Sequence, residues 1–202
     1  ESYRAVLRLN PDQAVIHFNL GVVLQEQDSY EEAEISYRNA IKLKPNYAKA
    51  HANLGYVLRL QHKLDDAVAS YRQALQLDSD AIAIHYNLGL TLEDSLKLDE
   101  ASQCYKKAIQ IKPDYAEAYL RLAAISQNTG NYQDAIANFQ QASRIQPENA
   151  EAYYGQATTL TLQGKQDQAV ACYQQALHIR PDYVEAHVGL GAALVPLGKP
   201  NE

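Results

Sequence analysis

Small and aromatic residues recur along this chain at a single constant spacing. Two alanine series and one aromatic series share the spacing, and the aromatic lies between the two alanines each time. The alanines are Ala33, Ala67, Ala101, Ala135 and Ala169, and Ala40, Ala74, Ala108, Ala142 and Ala176. The aromatics are Tyr3, Tyr37, Tyr71, Tyr105, Phe139 and Tyr173. A further small-residue series is Gly21, Gly55, Gly89, Ala123, Ala157 and Gly191. Several series with one period predict a repeat protein.

Each repeat is predicted to contain two α-helices, which we call helix A and helix B. Small residues allow two helices to approach closely, so the Gly/Ala series is expected where helix A meets helix B. The aromatic residue is expected to fill the wider gap at the junction. Proline cannot continue a helix interior, so it is expected to end each helix B. These prolines are Pro11, Pro45, Pro113, Pro147 and Pro181, with Ser79 at the remaining position.

The turns between helices carry polar residues and glycines. Acidic or amide residues follow the prolines and are expected to cap the next helix A. The spacing of Asp114 and Glu117, which recurs two repeats later at Asp182 and Glu185, is that of a capping box. Later turns between helices A and B contain glycine, at positions 130 and 164. The first three repeats have Asp28, His62 and Leu96 there. We therefore expect a slightly different turn geometry in those repeats.

The recurring positions match the tetratricopeptide repeat signature, whose length of about 34 residues is the spacing found here. The resemblance covers essentially the whole chain. The segment Ala50-His51-Ala52-Asn53-Leu54-Gly55 is similar to repeats of many bacterial proteins and of the superhelical arm of O-linked N-acetylglucosamine transferases. The resemblance implies an all-α fold, a right-handed superhelix (α-solenoid) of antiparallel helix pairs, with a concave groove lined mainly by helix A. It predicts one array over 1–202. Full repeats are predicted at 14–47, 48–81, 82–115, 116–149 and 150–183, with a partial repeat (helix B) at 1–13 and another (helix A) at 184–202.

Charge and composition narrow the functional classes. The formal net charge of −6 argues against general nucleic-acid binding, which needs a basic surface. No apolar run reaches the roughly 18 residues of a membrane-spanning helix, and no signal-peptide pattern opens the chain. Two cysteines give no disulfide framework and fit a reducing, cytoplasmic compartment. The chain begins without Met and inside a helical pattern, so we expect a fragment of a longer protein.

Candidate catalytic and metal-binding residues are better explained by packing. His17, His51, His85 and His187 share one repeat position. Successive repeats are separated there by two packed helices, roughly 16–20 Å, whereas metal ligands lie about 2 Å from one ion. These histidines are expected to pack between helices. Cys104 has no evident base beside it and is interpreted as a packing residue. No phosphate loop, nucleophile motif or zinc motif occurs, so we predict no enzyme activity, no metal and no cofactor.

A series of asparagines suggests a recognition surface. The sixth residue of helix A is Asn19, Asn53 and Asn87 in the first three repeats and Arg121 in the fourth. An amide both donates and accepts, so a row of asparagines can pair with the backbone of an extended peptide. In the transferase arm such a row is the peptide-binding feature, and the resemblance carries this role to the three asparagines. Alternatively, Asn is merely the common residue before Leu-Gly in these repeats. Residues expected around the row are Phe18, Tyr56, Tyr86 and Leu90, as apolar pockets, and Lys49 and Arg59, as a positive edge.

Three functions remain open from the sequence. The first is a protein-interaction scaffold that binds an extended peptide or a partner protein in the helix A groove. The second is the substrate-recognition arm of a larger enzyme, such as a glycosyltransferase. The third is head-to-tail self-association through unpaired terminal helices. The apolar residues at the two ends are Tyr3, Val6 and Leu7, and Val188, Leu190 and Leu194. The basic pair with which some tetratricopeptide domains bind chaperone C-termini is missing.

Overall fold

A computed structural model of the chain describes residues 2–198, which contain twelve α-helices, one short 3-10 helix and no β-strand. The helices A are α2 (Ala14–Glu26), α4 (Ala48–Leu60), α6 (Ile82–Asp94), α8 (Ala116–Asn128), α10 (Ala150–Leu162) and α12 (Val184–Leu194). The helices B are α1 (Ser2–Leu9), α3 (Tyr30–Leu43), α5 (Leu64–Leu77), α7 (Leu98–Ile111), α9 (Tyr132–Ile145) and α11 (Gln166–Ile179). The 3-10 helix is Val195–Leu197. Within residues 2–198, no helix is long and apolar enough to cross a membrane.

The predicted all-α repeat of helix pairs is confirmed. Every helix A begins at the same interval after the one before it, and the full-length helices B keep that interval. Each helix B ends two residues before the predicted proline, and α5 ends at Leu77, two residues before Ser79. Helix B therefore ends at the same repeat position with serine as with proline. The single array over 1–202 with its repeat boundaries stays a prediction, and residues 1 and 199–202 lie outside the described residues.

The chain forms two compact units, Glu1–Lys107 and Ala108–Glu202, and the division falls inside α7. In the first unit, each helix from α1 to α6 packs against the next one along the chain. In the second unit, the same holds from α8 to α12. Each unit has its own core, in which two alanines and one aromatic ring of each full-length helix B are almost completely buried.

In the first unit, the glycines of the small-residue series lie where helix A meets helix B, as predicted. A Cβ added to Gly21 would lie 2.6 Å from Cε1 of Tyr37, and one added to Gly89 would lie 2.6 Å from Cε1 of Tyr105. Real Cβ atoms do not approach a ring carbon this closely. Tyr37 and Tyr105 are fully buried. The aromatic ring thus fills the junction, and glycine makes room for it.

The prediction of a different turn geometry in the first three repeats is wrong. Asp28, His62 and Leu96 adopt left-handed backbone conformations with φ of 56°, 58° and 59°, close to the 77° and 74° of Gly130 and Gly164. The same three-residue turn therefore joins helices A and B in all five pairs. In three of them an L-amino acid bears the strain of the left-handed region, which costs roughly 1–2 kcal/mol for a residue with a Cβ.

The predicted capping of helix A is wrong at most helices. Helices α4, α8 and α12 have a tyrosine as their N-cap residue, and none of these helices has a side-chain cap hydrogen bond. Among the helices A, α10 has a side-chain cap, but the cap is Asn149 and not Glu148, which directly follows Pro147; Oδ1 of Asn149 accepts from the backbone N–H of Ala152 at 3.1 Å. Helix A begins one residue later than the capping boxes require, so Asp114 precedes the N-cap residue Tyr115.

Substituting Leu96 by glycine is predicted to stabilise the protein. Leu96 is 84% exposed, so its side chain contributes little packing to offset the left-handed strain. We expect a gain of about 0.5–1 kcal/mol in the free energy of unfolding, because relief of strain exceeds the entropy cost of glycine. Denaturant unfolding measures it.

Two substitutions serve as controls for this experiment. Asp28→Gly should gain less, because Asp tolerates this conformation and Oδ1 of Asp28 accepts from the Tyr30 hydroxyl at 2.6 Å. Gly130→Ala should lose about 1 kcal/mol, because it introduces the strain. A loss of stability in Leu96→Gly would contradict the strain argument.

Candidate functional site

Asn19, Asn53 and Asn87 of the first unit lie at the border between the exposed and the buried side of their helices. In α4, Lys49, Asn53 and Tyr56 are spaced at i, i+4 and i+7, which places them on one face. Leu54 and Leu58, on the other side of the helix, are buried. Asn19 and Asn87 occupy the position of Asn53 in α2 and α6, and all three asparagines are half-buried. We call this surface, formed by α2, α4 and α6, the helix A face.

Asn53 is held by a hydrogen-bonded chain that crosses two repeats. Its Nδ2 donates to the Tyr37 hydroxyl at 3.2 Å, and that hydroxyl donates to Oε1 of Gln25 at 2.9 Å. Burial raises the pKa of Tyr37 to about 12, although the hydrogen bond from Asn53 opposes the rise. The hydroxyl thus stays neutral at physiological pH and can both donate and accept. Asn53 therefore has a structural role as well as a place on the helix A face.

The corresponding chain is not formed one repeat later. The Tyr71 hydroxyl is buried and has no hydrogen-bond partner among the described residues. Arg59 occupies the position of Gln25, but its Nε donates to Oδ2 of Asp94 at 2.7 Å. The side chain of Asn87, which corresponds to Asn53, forms no hydrogen bond within the part of the chain that the structure describes. In the third repeat, the Tyr105 hydroxyl donates to Glu93.

The aromatic residues predicted to form pockets also pack inside the helix pairs. The Phe18 ring lies 5.8 Å from the ring of Tyr37 and 5.0 Å from that of Tyr47, measured between centroids. The Tyr86 ring lies 5.7 Å from the Tyr105 ring. Tyr56 packs against the core cluster of the first two repeats. These side chains, like Leu90, are half-buried, so each offers only part of its surface to a ligand.

The two residues of the predicted positive edge, Lys49 and Arg59, differ in their ion pairing. Arg59 is neutralised by its ion pair with Asp94. The pair borders a cavity of about 440 Å³ that is also lined by Leu60, His62 and Leu64. Lys49 is exposed and has no ion pair among the described residues. The cationic character of the helix A face thus rests on Lys49.

Arg121 belongs to the second unit, where it is an exposed residue of α8. The asparagine position is filled by glycine in the next two helices, at Gly155 and Gly189. Both glycines adjoin the aromatic ring of the preceding helix B, which is Phe139 for Gly155 and Tyr173 for Gly189. The row of amides is therefore confined to the first unit.

The four histidines have a role that the sequence analysis missed. Each Nε2 lies 2.8–2.9 Å from the backbone carbonyl oxygen of the residue six positions earlier, at Pro11, Pro45, Ser79 or Pro181. A carbonyl only accepts, so Nε2 carries the proton and donates. The histidines thus fasten helix A to the preceding turn. The constant spacing from the turn residue was the available signal. Within residues 2–198, no group of three or more His, Cys, Asp or Glu could hold a metal ion.

The apolar residues that were predicted to allow head-to-tail contact differ in their exposure. Tyr3 and Val6 are 36% and 40% exposed, and Val188 is 68% exposed. Leu194, however, is only 4% exposed, and Leu190 packs against the core cluster of the second unit. The expectation that Leu194 is available for contact with another copy is therefore wrong.

Comparison with known proteins identifies the family. A family model described as a TPR repeat matches residues 26–61, 55–95, 97–130, 128–157 and 157–198. The chain therefore belongs to the tetratricopeptide repeat family, whose fold supports a general role as a protein-interaction scaffold. No curated protein matches the sequence.

Solved structures of the same fold agree with this assignment. YrrB, described as a TPR protein with an unusual peptide-binding site, is 21% identical with a TM-score of 0.80, covering 93% of this chain and 97% of YrrB. MamA is 22% identical with a TM-score of 0.79, covering 85% of this chain and 94% of MamA. PilF of Pseudomonas aeruginosa is 20% identical with a TM-score of 0.77, covering 92% of this chain and 85% of PilF. At these identities the similarity establishes the fold.

Two tyrosine substitutions are predicted to have opposite effects. Tyr71→Phe should leave the free energy of unfolding unchanged or raise it by up to about 2 kcal/mol, because it removes a buried hydroxyl without a partner. Tyr37→Phe should lower it by about 1 kcal/mol, because Gln25 and Asn53 lose their shared partner. Phe139 shows that phenylalanine is accepted at this position. Equal losses in the two variants, measured by denaturant unfolding, would refute the difference between the repeats.

Proposed function

We propose that the protein binds an extended peptide segment of a partner protein along the helix A face of its first unit. The observation that carries the proposal is the state of the three amides. Asn19 and Asn87 are half-buried and form no side-chain hydrogen bond among the described residues, and Asn53 uses only one of its donors. The remaining amide N–H and C=O groups have the complementarity that the backbone of an extended peptide requires.

The surroundings of the amides support peptide recognition over binding of a small charged molecule. Phe18, Tyr56, Tyr86 and Leu90 each leave part of an apolar surface exposed beside the asparagines. Apolar side chains of a peptide would pack there, while Lys49 would favour a carboxylate at one point. Amides paired with the peptide backbone supply affinity, and contacts with its side chains supply specificity.

We further infer that this chain acts by binding and not by catalysis. Burial raises the pKa of the Cys104 thiol to about 11, and it also raises that of Cys172. A thiol with a raised pKa is a poor nucleophile at neutral pH. The four histidines that share a repeat position donate from Nε2 to turn carbonyls. A role as the recognition arm of a larger enzyme requires the same binding face and stays a prediction, as does self-association.

Asn87→Ala is predicted to weaken peptide binding about tenfold without lowering the melting temperature. It removes about 1–1.5 kcal/mol of hydrogen bonding to the ligand, and no internal hydrogen bond of the Asn87 side chain is lost. The ligand would be a peptide selected from a displayed random library against the wild-type protein, and calorimetry would measure its affinity. Asn53→Ala should weaken binding and also reduce stability, because it breaks the bond to Tyr37.

Asn39→Ala is the matched control, because Asn39 is an exposed residue of α3 on a helix B. It should change neither affinity nor stability. The proposal fails if Asn19→Ala and Asn87→Ala both retain wild-type affinity, or if Asn39→Ala weakens binding as strongly as they do.

A further inference from the structure

A second surface of the first unit is a cavity on the opposite side of α4 from Lys49, Asn53 and Tyr56. Its volume is about 390 Å³. It is lined by Arg38, Ile41 and Lys42 of α3, by His51 and Leu54 of α4, and by Ala69, Ser70 and Gln73 of α5. We call it the helix B groove. Because it lies on the other side of α4, it is separate from the helix A face.

The helix B groove combines an apolar floor with a cationic rim. Ile41, Leu54 and Ala69 supply apolar surface. Arg38 and Lys42 are four residues apart in α3, so their side chains lie on the same side of the helix. No carboxylate lines the groove, although the whole protein carries a net charge of −6. Because Arg38 is paired with Glu34, the net positive charge of the rim rests on Lys42, on a protein that is acidic overall.

An ion pair found elsewhere between successive helices B is missing at the helix B groove. Arg4 of α1 pairs with Glu32 of α3, and Arg72 of α5 pairs with Glu100 of α7, in each case on the next helix B. The equivalent partner of Arg38 would be Asp66. Instead, Nε of Arg38 donates to Glu34 in its own helix at 2.9 Å.

Glu34 holds Arg38 firmly because it is itself fixed in place. Lys63 donates to its Oε2 at 2.8 Å, and Gln61 donates to the same oxygen at 3.1 Å. Burial raises the pKa of Glu34, but the hydrogen bonds from Lys63, Arg38 and Gln61 outweigh it, so the pKa is lowered overall. Glu34 thus stays ionised and occupies the Nε of Arg38. A guanidinium has five N–H donors, and the remaining ones can serve a ligand.

The neighbouring cavity, one repeat later, provides the contrast. It is smaller, about 250 Å³, and contains Arg72, Glu100 and Lys107. Nη2 of Arg72 donates to Oε2 of Glu100 at 2.6 Å, so its cation is already neutralised by a carboxylate in the same cavity. The position of Lys42 is taken there by Gln76. Of these two equivalent cavities, only the helix B groove combines a basic rim with no lining carboxylate.

We infer that the helix B groove binds an acidic segment of a partner protein, in which a carboxylate side chain is close to an apolar one. The carboxylate would accept hydrogen bonds from Arg38 and Lys42, as charge-assisted pairs do. The apolar side chain would cover Ile41, Leu54 and Ala69. Because the rim is exposed, binding should weaken as salt concentration rises.

The test is an NMR titration of the 15N-labelled full chain with short capped peptides. The probe has one central leucine flanked by two glutamates on each side. We expect saturable shifts of the amide signals of Ile41, Lys42 and Ser70. A peptide with lysines in place of the glutamates should not bind, and one with alanine in place of leucine should bind more weakly.

Two variants complete the test. Lys42→Glu, at an exposed position, should weaken binding of the glutamate peptide about tenfold or more, because an attraction becomes a repulsion. Arg72→Gln, the control in the neighbouring cavity, should leave the affinity within about twofold. The inference is overturned if the glutamate peptide does not bind saturably, if the lysine peptide binds equally, or if Lys42→Glu binds like the wild type. It is also overturned if the shifts map to Lys49, Asn53 and Tyr56, which would assign the acidic peptide to the helix A face instead.

Discussion

The aromatic ring of each helix B has to fit between the helix A before it and the helix A after it. Tyr37 is fully buried, with Gly21 on one side and Asn53 on the other. In the second unit, Tyr173 is nearly buried, with Ala157 before it and Gly189 after it. Phe139 is arranged in the same way, with Ala123 before it and Gly155 after it. Each of these rings therefore has one glycine beside it, but the glycine lies on opposite sides in the two units. Interiors pack at nearly crystalline density, so a ring tolerates a larger neighbour on only one side.

This constraint explains why the amide row exists where it does. In the first unit, glycine precedes the ring, and the position after the ring is free to carry asparagine. After the rings of Phe139 and Tyr173 in the second unit, the position is glycine, at Gly155 and Gly189, and the amide is lost. The tyrosine hydroxyl then decides what the asparagine does. The Tyr37 hydroxyl accepts a hydrogen bond from Asn53, whereas the Tyr71 hydroxyl forms none with Asn87. Packing thus sets the number of amides, and the polar network sets how many remain without an internal hydrogen bond.

The sequence predicted the fold well because the fold depends on a strictly repeated pattern of residue sizes. The constant repeat interval, the helix ends before each proline and the Gly–Tyr contacts all follow from side-chain volume. The sequence failed where several residue types satisfy the same geometry. Leu96 adopts the conformation of Gly130, so the absence of glycine did not signal a different turn. Asp114 has the residue type of a cap, but the helix begins one residue too late for it.

The site was harder to predict than the fold, because it depends on pairing between residues far apart in sequence. The Arg59–Asp94 pair joins two successive helices A, and Arg59 could instead have served the Tyr71 hydroxyl that is left without a partner. Arg38 pairs with Glu34 and not with Asp66, and Glu34 is held in place by Gln61 and Lys63 from the turn between α4 and α5. Residue types alone do not rank such alternatives, because each partner competes with others of similar strength.

A double-mutant cycle on Gly21 and Asn53 tests the central constraint most directly. Gly21→Ala should cost about 1–3 kcal/mol through overpacking against Tyr37, and Asn53→Gly should cost about 1–2 kcal/mol through lost helix propensity and a lost hydrogen bond. The two substitutions together reproduce the arrangement of the second unit. The double variant should therefore lose at least about 1 kcal/mol less free energy of unfolding than the two single variants lose in sum. Gly191→Ala, where nothing lies within 4 Å of an added Cβ, should instead gain about 0.5–1 kcal/mol. Additive losses at Gly21 and Asn53, measured by denaturant unfolding, would contradict the account.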